Sequence, residues 1–298
     1  MRILDTIQRN LFEPEKELHG SHYIFFKIFE LFIASQAIYL VWYWGFYTLK
    51  ITDVVLPLGL ANYIDISFMH GNNLALWNAG IISALIIFAF FRSGSKWFYG
   101  IAFLLLHIQY VARFSIGEIP HSANLIGFSV LCFAIGLICF EEPDKRYKFI
   151  LGSIIFFAGL GYTSAAFSKL IATGIDWVDG RHLWLWIGEK GTDILSREGS
   201  WNPNFLQAVA LKSIPIATVI LIIGLLSEFF GFLLWFKKTR MFIVTALIGM
   251  HIGITLSMNI RFDAFIAELI LIGYAWPVII NKIWPETPAH GKKLIRFI

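Results

Sequence analysis

The sequence predicts an all-α integral membrane protein, a bundle of about eight transmembrane helices, and three observations support this fold class. The 298 residues are 57% hydrophobic and only 15% charged, whereas about 25% of the residues in soluble domains are charged. Long apolar runs recur along the whole chain, and most approach the roughly 20 residues that a helix needs to cross a bilayer. Positive charge is concentrated in alternate connections between these runs, as is typical of multi-pass membrane proteins.

The apolar runs define the expected spans. They lie at 23–48, 74–91, 97–116, 122–140, 148–168, 209–236, 241–258 and 263–280. The first run is longer than the apolar core of a signal peptide, so we expect it to be an uncleaved span. No repeat, low-complexity tract or change of composition separates the runs, which predicts a single transmembrane domain over residues 1–298.

The basic residues indicate an orientation. They lie before the first run and after runs two, four, six and eight, for example Arg92 with Lys96 and Lys145 with Arg146. Because cytoplasmic loops collect Lys and Arg, we expect a cell-membrane protein with both termini in the cytoplasm. The 24 Lys and Arg are scattered along the chain, so the expected partner is the lipid bilayer and not nucleic acid.

The connection between spans five and six is unusually long. Residues 168–204 carry many charges, and among them stand Trp177, Trp184, Trp186 and Trp201. Long connections in a compact bundle are usually functional or disordered, and tryptophan is enriched at membrane interfaces. We predict an ordered extracytoplasmic lid with a short helix at 182–187. An ordinary aromatic belt is the alternative.

Ionisable residues inside the predicted spans are costly to bury, and each is therefore a candidate for a functional role. They are Lys27, Glu30, His107, Arg113, Lys169, Glu228, His251 and Glu268. Lys27 and Glu30 lie three residues apart near the cytoplasmic end of the first span, where either a local ion pair or extension of the side chains to the interface accounts for both. Arg113 is expected near the outer boundary, where it could either extend to the interface or bind an anion beside the lid.

Lys169 stands at the end of the fifth span, just before the sequence Asp-Trp-Val-Asp-Gly at 176–180. Burial disfavours the charged form of a lysine, and a neutral amine can act as a general base. The alternative is a lysine that reaches out to the interface. His121 and His251 are expected on the same side of the membrane, so they could line one cavity with Lys169.

A metal site is not expected. The set formed by His107, His251 and Glu268 lacks the HExxH-type spacing that places two ligands on one helical face. Cys132 and Cys139 lie seven residues apart in one apolar run, too far along a helix to bond to each other.

The segment 157–186, FAGLGYTSAAFSKLIATGIDWVDGRHLWLW, resembles the core of the vitamin K-dependent gamma-carboxylase family and of its bacterial relatives, the HTTM proteins. The family pattern is a helix ending in a small residue, Lys and Leu, followed by Asp-Trp, an acidic residue and Gly. The resemblance implies that Lys169 is the catalytic base that starts oxygenation of a reduced quinone. It also implies that His121, in Ile-Pro-His-Ser-Ala-Asn, orients or protonates an oxygen intermediate.

The resemblance further implies reduced menaquinone or another vitamin K-type quinone as cofactor, with carbon dioxide and oxygen as co-substrates of a carboxylase of the carbon–carbon lyase type. The residues expected around the quinone or substrate are Arg113, Asp176, Trp177, Asp179, Gly180 and, more loosely matched, His251.

The substrate stays open, since the sequence has no counterpart of the large extracytoplasmic domain with which the carboxylases bind their protein substrates. A peptidyl glutamate is one candidate. Two other functions also remain open. The first is maturation or export of a small toxin peptide without quinone chemistry, as in sporulation-delaying systems. The second is transport, although we find no paired, Gly/Pro-broken spans of the kind that transporters use.

Overall fold

The computed structural model describes residues 2–13, 18, 20–52, 56–57, 59–92, 94–115 and 123–284, and every regular element within these ranges is a helix. This confirms the expected all-α class for the described part of the chain. The twelve α-helices of these ranges are α1 (Ile3–Phe12), α2 (Gly20–Thr48), α3 (Leu74–Phe90), α4 (Phe98–Phe114), α5 (Asn124–Cys139), α6 (Pro143–Thr173), α7 (Gly180–Glu198), α8 (Phe205–Lys212), α9 (Ile214–Phe229), α10 (Lys237–Met258), α11 (Asp263–Gly273) and α12 (Trp276–Ile283). Short 3₁₀ helices cover Gly59–Asn62, Ser67–Met69, Gly174–Val178 and Phe230–Trp235.

Each predicted span coincides with helical residues, but the helices differ in length. Four helical segments are long and apolar enough to cross a membrane, and they are Gly20–Thr48, Pro143–Val178, Ile214–Trp235 and Lys237–Met258. The neighbours α11 and α12, separated by a short break, together make a fifth candidate.

Helices α3, α4 and α5 have 17, 17 and 16 residues. At 1.5 Å per residue they reach about 25 Å, which is less than the roughly 30 Å thickness of the hydrocarbon layer. The described chain therefore has the character of an all-α membrane protein with four or five candidate spans, and the predicted eight are not confirmed.

Contacts between Cα atoms divide the chain into two compact units. One, here called the Glu30 unit, comprises Phe12–Ile154 and Ala275–Ile298. The other, the Lys169 unit, comprises Ile155–Tyr274 and Met1–Leu11.

In the Glu30 unit, α2 packs against α3, α4, α5 and α12, and its fully buried Glu30 is the centre of a polar network. Glu30 Oε2 accepts hydrogen bonds from Lys27 Nζ (2.9 Å) and Arg92 Nη2 (3.0 Å). Glu30 Oε1 accepts from Arg92 Nη1 (2.6 Å) and the Tyr99 hydroxyl (3.0 Å). The structure confirms the ion pair between Lys27 and Glu30. Arg92 and Tyr99, which are distant in sequence, supply the other hydrogen bonds to a carboxylate that would be costly to bury alone.

In the Lys169 unit, α9 packs against α7, α8 and α10. The start of α7 approaches α9 so closely that it requires glycine. The backbone N–H of Gly180 donates to Thr218 Oγ1 at 2.9 Å, and a Cβ at Gly180 would lie only 2.3 Å from the carbonyl oxygen of Ile214. Gly180 therefore has a packing role.

The Trp-rich segment contains more helix than the sequence predicted. In place of a short helix at 182–187, α7 extends over 19 residues and α8 follows it. The four tryptophans pack against the buried core formed by Leu183, Ile187 and residues of α8 and α9, and Trp184 Nε1 donates to the carbonyl oxygen of Ala210 at 2.8 Å. The polar outer face of α7 had made it resemble a loop in the sequence, whereas its inner face is held by tertiary packing.

Candidate functional site

Lys169 lies near the end of α6 and forms an ion pair with Glu228 of α9, in which Lys169 Nζ donates to Glu228 Oε2. The ammonium also lies 4.7 Å from the centroid of the Trp177 ring, at cation–π distance. The lysine side chain is 29% exposed and the glutamate 9% exposed. The pair is therefore largely removed from water, and the lysine side chain is its more accessible member.

Glu228 follows a run of apolar residues in α9. A buried carboxylate without a partner would cost several kcal/mol, and Lys169 supplies that partner. The sequence identified both residues as candidates, but it did not pair them because they lie 59 positions apart.

A second hydrogen-bonded pair involves Tyr162, which lies two helical turns before Lys169 in α6. The Tyr162 hydroxyl and His251 Nε2 of α10 are 2.6 Å apart, and both side chains are buried. Tyr162 precedes Lys169 by seven residues, which places the two on the same face of α6 and about 10 Å apart along its axis. Tyr162 was absent from the sequence-based candidates, because a tyrosine in an apolar run is ordinary and its partner His251 lies 89 positions away.

The other ring nitrogen of His251, Nδ1, has no hydrogen-bond partner among the residues that the structure describes. The His251 ring contacts Phe262 and Phe265, with ring centroids 4.6 Å and 5.9 Å away. If Tyr162 donates to Nε2, then Nδ1 carries a proton, and if Tyr162 accepts, then Nδ1 is an acceptor. In both tautomers a buried polar atom stands among phenyl rings.

A further carboxylate, Glu268 of α11, is fully buried in the same unit. Two hydrogen-bonded pairs, Lys169 with Glu228 and Tyr162 with His251, lie in this unit with it. We call these five residues (Tyr162, Lys169, Glu228, His251 and Glu268) the Lys169 cluster. Four helices contribute the cluster, and within each hydrogen-bonded pair a proton can move between a nitrogen and an oxygen atom.

Beside the start of α7, an open depression of about 430 Å³ is lined by Asp176, Asp179, Arg181 and residues of α9. Asp179 is the N-cap of α7 and accepts from the backbone N–H of Arg181 at 2.9 Å. Its bonds with the Arg181 side chain and backbone lower the pKa of the Asp179 carboxyl to about 2. Of the predicted pocket residues, Asp179 and Gly180 thus shape the beginning of a helix, and Asp176 faces this depression.

Arg113 belongs to the Glu30 unit, where its guanidinium carbon lies 3.6 Å from the centroid of the Tyr47 ring. His121 lies outside the described residues. His107 stacks on Tyr110 in α4. Within the described ranges, no group of three or more His, Cys, Asp and Glu side chains is arranged to hold a metal.

No known family model matches the chain, and neither a curated protein nor a solved structure matches it.

Proposed function

We propose that the Lys169 cluster is the proton-transfer centre of a membrane-embedded enzyme in which Lys169 Nζ is the base. The observation that carries this proposal is the ion pair between Lys169 and Glu228, set in helices apolar enough to cross a membrane. Ionisable groups placed in such segments are usually functional. The resemblance of residues 157–186 to the gamma-carboxylase and HTTM proteins supports the same assignment for Lys169.

The pair provides a route to a neutral amine. Because a hydrogen bond joins Lys169 Nζ to Glu228 Oε2, a proton can move directly between these two atoms. One proton passes from Lys169 Nζ to Glu228 Oε2, with no change in the total charge of the cluster. Lys169 Nζ can then accept a proton from a weakly acidic hydroxyl of the substrate, while Glu228 retains the first proton.

A reduced quinone needs a polar partner for a ring oxygen and flat apolar surfaces for the ring, and we propose that His251 and its neighbours supply them. His251 Nδ1 provides the polar atom and Phe262 an adjacent ring face. Tyr162 holds the imidazole through Nε2. When bound, a reduced quinone would supply the hydroxyl proton and the reducing equivalents for reaction with oxygen. From the resemblance to the family we propose that this reaction drives the carboxylation of a peptidyl glutamate or another substrate.

The test measures epoxide formation from reduced menaquinone and oxygen by the purified full-length protein, beside a known carboxylase that makes epoxide under the same conditions. We expect epoxide from the wild type and a loss on the order of 10²-fold or more in Lys169→Ala. Lys190→Ala is the matched control, since Lys190 is 30% exposed and also pairs with acidic residues, but on α7. No epoxide from the wild type would refute the quinol chemistry, and full activity in Lys169→Ala would refute the base.

For the membrane arrangement we propose eight crossings, with both termini in the cytoplasm and α7 on the opposite side. The eight apolar runs that coincide with helices support this, and a bilayer can thin around helices as short as α3, α4 and α5. The test uses single cysteines at Lys145 and Glu189, whose side chains are 60% and 63% exposed, in a background that carries both Cys132→Ala and Cys139→Ser. A membrane-impermeant thiol reagent should label the Glu189→Cys variant in intact cells and the Lys145→Cys variant only after permeabilisation. The reverse labelling pattern would show that the protein has the opposite orientation in the membrane.

A further inference from the structure

In the Glu30 unit, the α3–α4 and α5–α6 connections border a cavity of about 270 Å³. Three basic residues line it (Arg92, Lys96 and Arg146), together with Glu141 and the apolar residues Phe88 and Leu137. We call it the Arg92 cavity. It shares no residue with the Lys169 cluster, and the function proposed for that cluster does not involve it.

Positive charge exceeds negative charge around this cavity. Of the carboxylates near it, Glu30 is bound by Arg92 and Lys27, and Glu141 lines the wall. The lining carries three cations (Arg92, Lys96 and Arg146) and one carboxylate (Glu141), and the Lys27–Glu30 pair adds no net charge, so the lining has an excess of two positive charges. The nearby Lys145 and Glu142 form a pair of their own and do not alter this balance.

The cations are held in position by the protein. Arg146 Nε and Nη2 donate to the carbonyl oxygen of Phe140 at 3.2 Å and 2.9 Å, and Nη2 also donates to that of Glu141 at 3.2 Å. Lys96 Nζ donates to the carbonyl oxygen of Ile138 at 3.3 Å. Side chains already ordered in this way lose little freedom when a ligand binds. Helix α4 begins two residues after Lys96, and the positive end of its dipole adds to the attraction for an anion.

We propose that the Arg92 cavity binds a phosphate group of the kind that an anionic phospholipid headgroup carries. Arginine and lysine side chains suit a phosphate group because both carry a positive charge, and Lys96 Nζ has two N–H donors besides the one that bonds the carbonyl oxygen of Ile138. Phe88 is 49% exposed and Trp97, beside Lys96, is 54% exposed. These two rings offer apolar surface to the chains of a lipid whose phosphate occupies the cavity. Basic pockets between membrane helices bind anionic headgroups in this way.

The test measures lipid binding to the purified full-length protein in detergent by native mass spectrometry, with phosphatidylglycerol and phosphatidylcholine as probes. We expect phosphatidylglycerol to bind more tightly. Lys96→Gln should weaken its binding about fivefold, because one basic residue contributes about that factor near a charged headgroup. Glu141→Gln should strengthen it by a similar factor, since it removes an opposing charge. Lys145→Gln is the matched control, a lysine of the same region that does not line the cavity.

The pattern across the variants decides the proposal. Equal affinity for the two lipids, or equal losses in the Lys96→Gln and Lys145→Gln variants, would overturn it. Competition with inorganic phosphate and with glycerol 3-phosphate distinguishes the two sources of the phosphate. A lipid site requires phosphatidylglycerol to bind far more tightly than either soluble anion, whereas equal affinities would show a site for phosphate from solution. Because Lys96 is exposed, an unchanged thermal unfolding midpoint in Lys96→Gln would exclude misfolding as the cause.

Discussion

Replacing Glu228 with Leu would leave the Lys169 ammonium without its carboxylate partner. Breaking a fully buried ion pair costs about 3–5 kcal/mol, and an exposed pair contributes about 0–1 kcal/mol. The glutamate side chain is 9% exposed and the lysine 29% exposed, so water can still reach the ammonium in part. We therefore expect Glu228→Leu to lower the free energy of unfolding by about 2 kcal/mol, an intermediate cost.

Lys169→Met should have a cost of similar size, because it leaves the more deeply buried carboxylate unpaired. The double variant removes both charges together, and replacing a buried ion pair by apolar residues is often neutral or stabilising. Its stability should therefore return close to that of the wild type, while epoxide formation remains lost in all three variants. Reversible unfolding in mixed micelles, analysed as a double-mutant cycle, measures these differences. If the free energy of unfolding of the double variant falls by the sum of the two single decreases, the side chains are not coupled and the proposed proton route is refuted.

Three other predictions concern the Lys169 unit. Tyr162→Phe should destabilise the protein by about 1–2 kcal/mol, because it removes the hydrogen bond at the buried Nε2 atom of His251; thermal unfolding measures this loss of stability. Gly180→Ala should cost about 1–3 kcal/mol through overpacking, whereas Gly188→Ala, with no atom within 4 Å of the added Cβ, should stabilise α7 by about 0.5–1 kcal/mol in the same assay. The pKa of Asp179 is lowered from 3.8 to about 2, so its stabilisation is complete above about pH 4 and is lost as the pH falls through 2; an acid titration of helicity should show this step in the wild type and not in Asp179→Asn.

Each of these predictions has a result that contradicts it. An unchanged unfolding midpoint in Tyr162→Phe would show that His251 does not depend on this bond. Equal effects of Ala at Gly180 and Gly188 would show that the start of α7 does not approach α9 as closely as described. Identical acid titrations for the wild type and Asp179→Asn would show that the carboxylate of Asp179 does not cap α7.

Sequence reasoning identified individual chemical groups of the candidate site better than their partners. Lys169, Glu228, His251 and Glu268 stand out in the sequence because ionisable side chains are rare in apolar runs. Tyr162 does not stand out, since a tyrosine in such a run is ordinary. It becomes significant only when α10 brings His251 to within 2.6 Å of its hydroxyl.

The Trp-rich connection shows the opposite difficulty. Its charges and tryptophans predicted a lid with a short helix, but the structure has the continuous helix α7 followed by α8. Prediction from the local sequence underestimated the length of this helix because one face of α7 is polar and points outward. Packing of its inner face, including Leu183 and Ile187, against α9 stabilises it, and such packing has no signature in a local window.

The all-α class and the membrane character of this protein can be predicted from the sequence alone, because both depend on the composition and length of apolar runs, which are local properties. The pairing of Lys169 with Glu228 and of Tyr162 with His251 emerges only from contacts between helices. These partners lie 59 and 89 positions apart, and no local pattern specifies which faces of two apolar helices meet. That choice depends on close packing along the whole length of the helices, as at Gly180, where the absence of a side chain lets α7 approach α9.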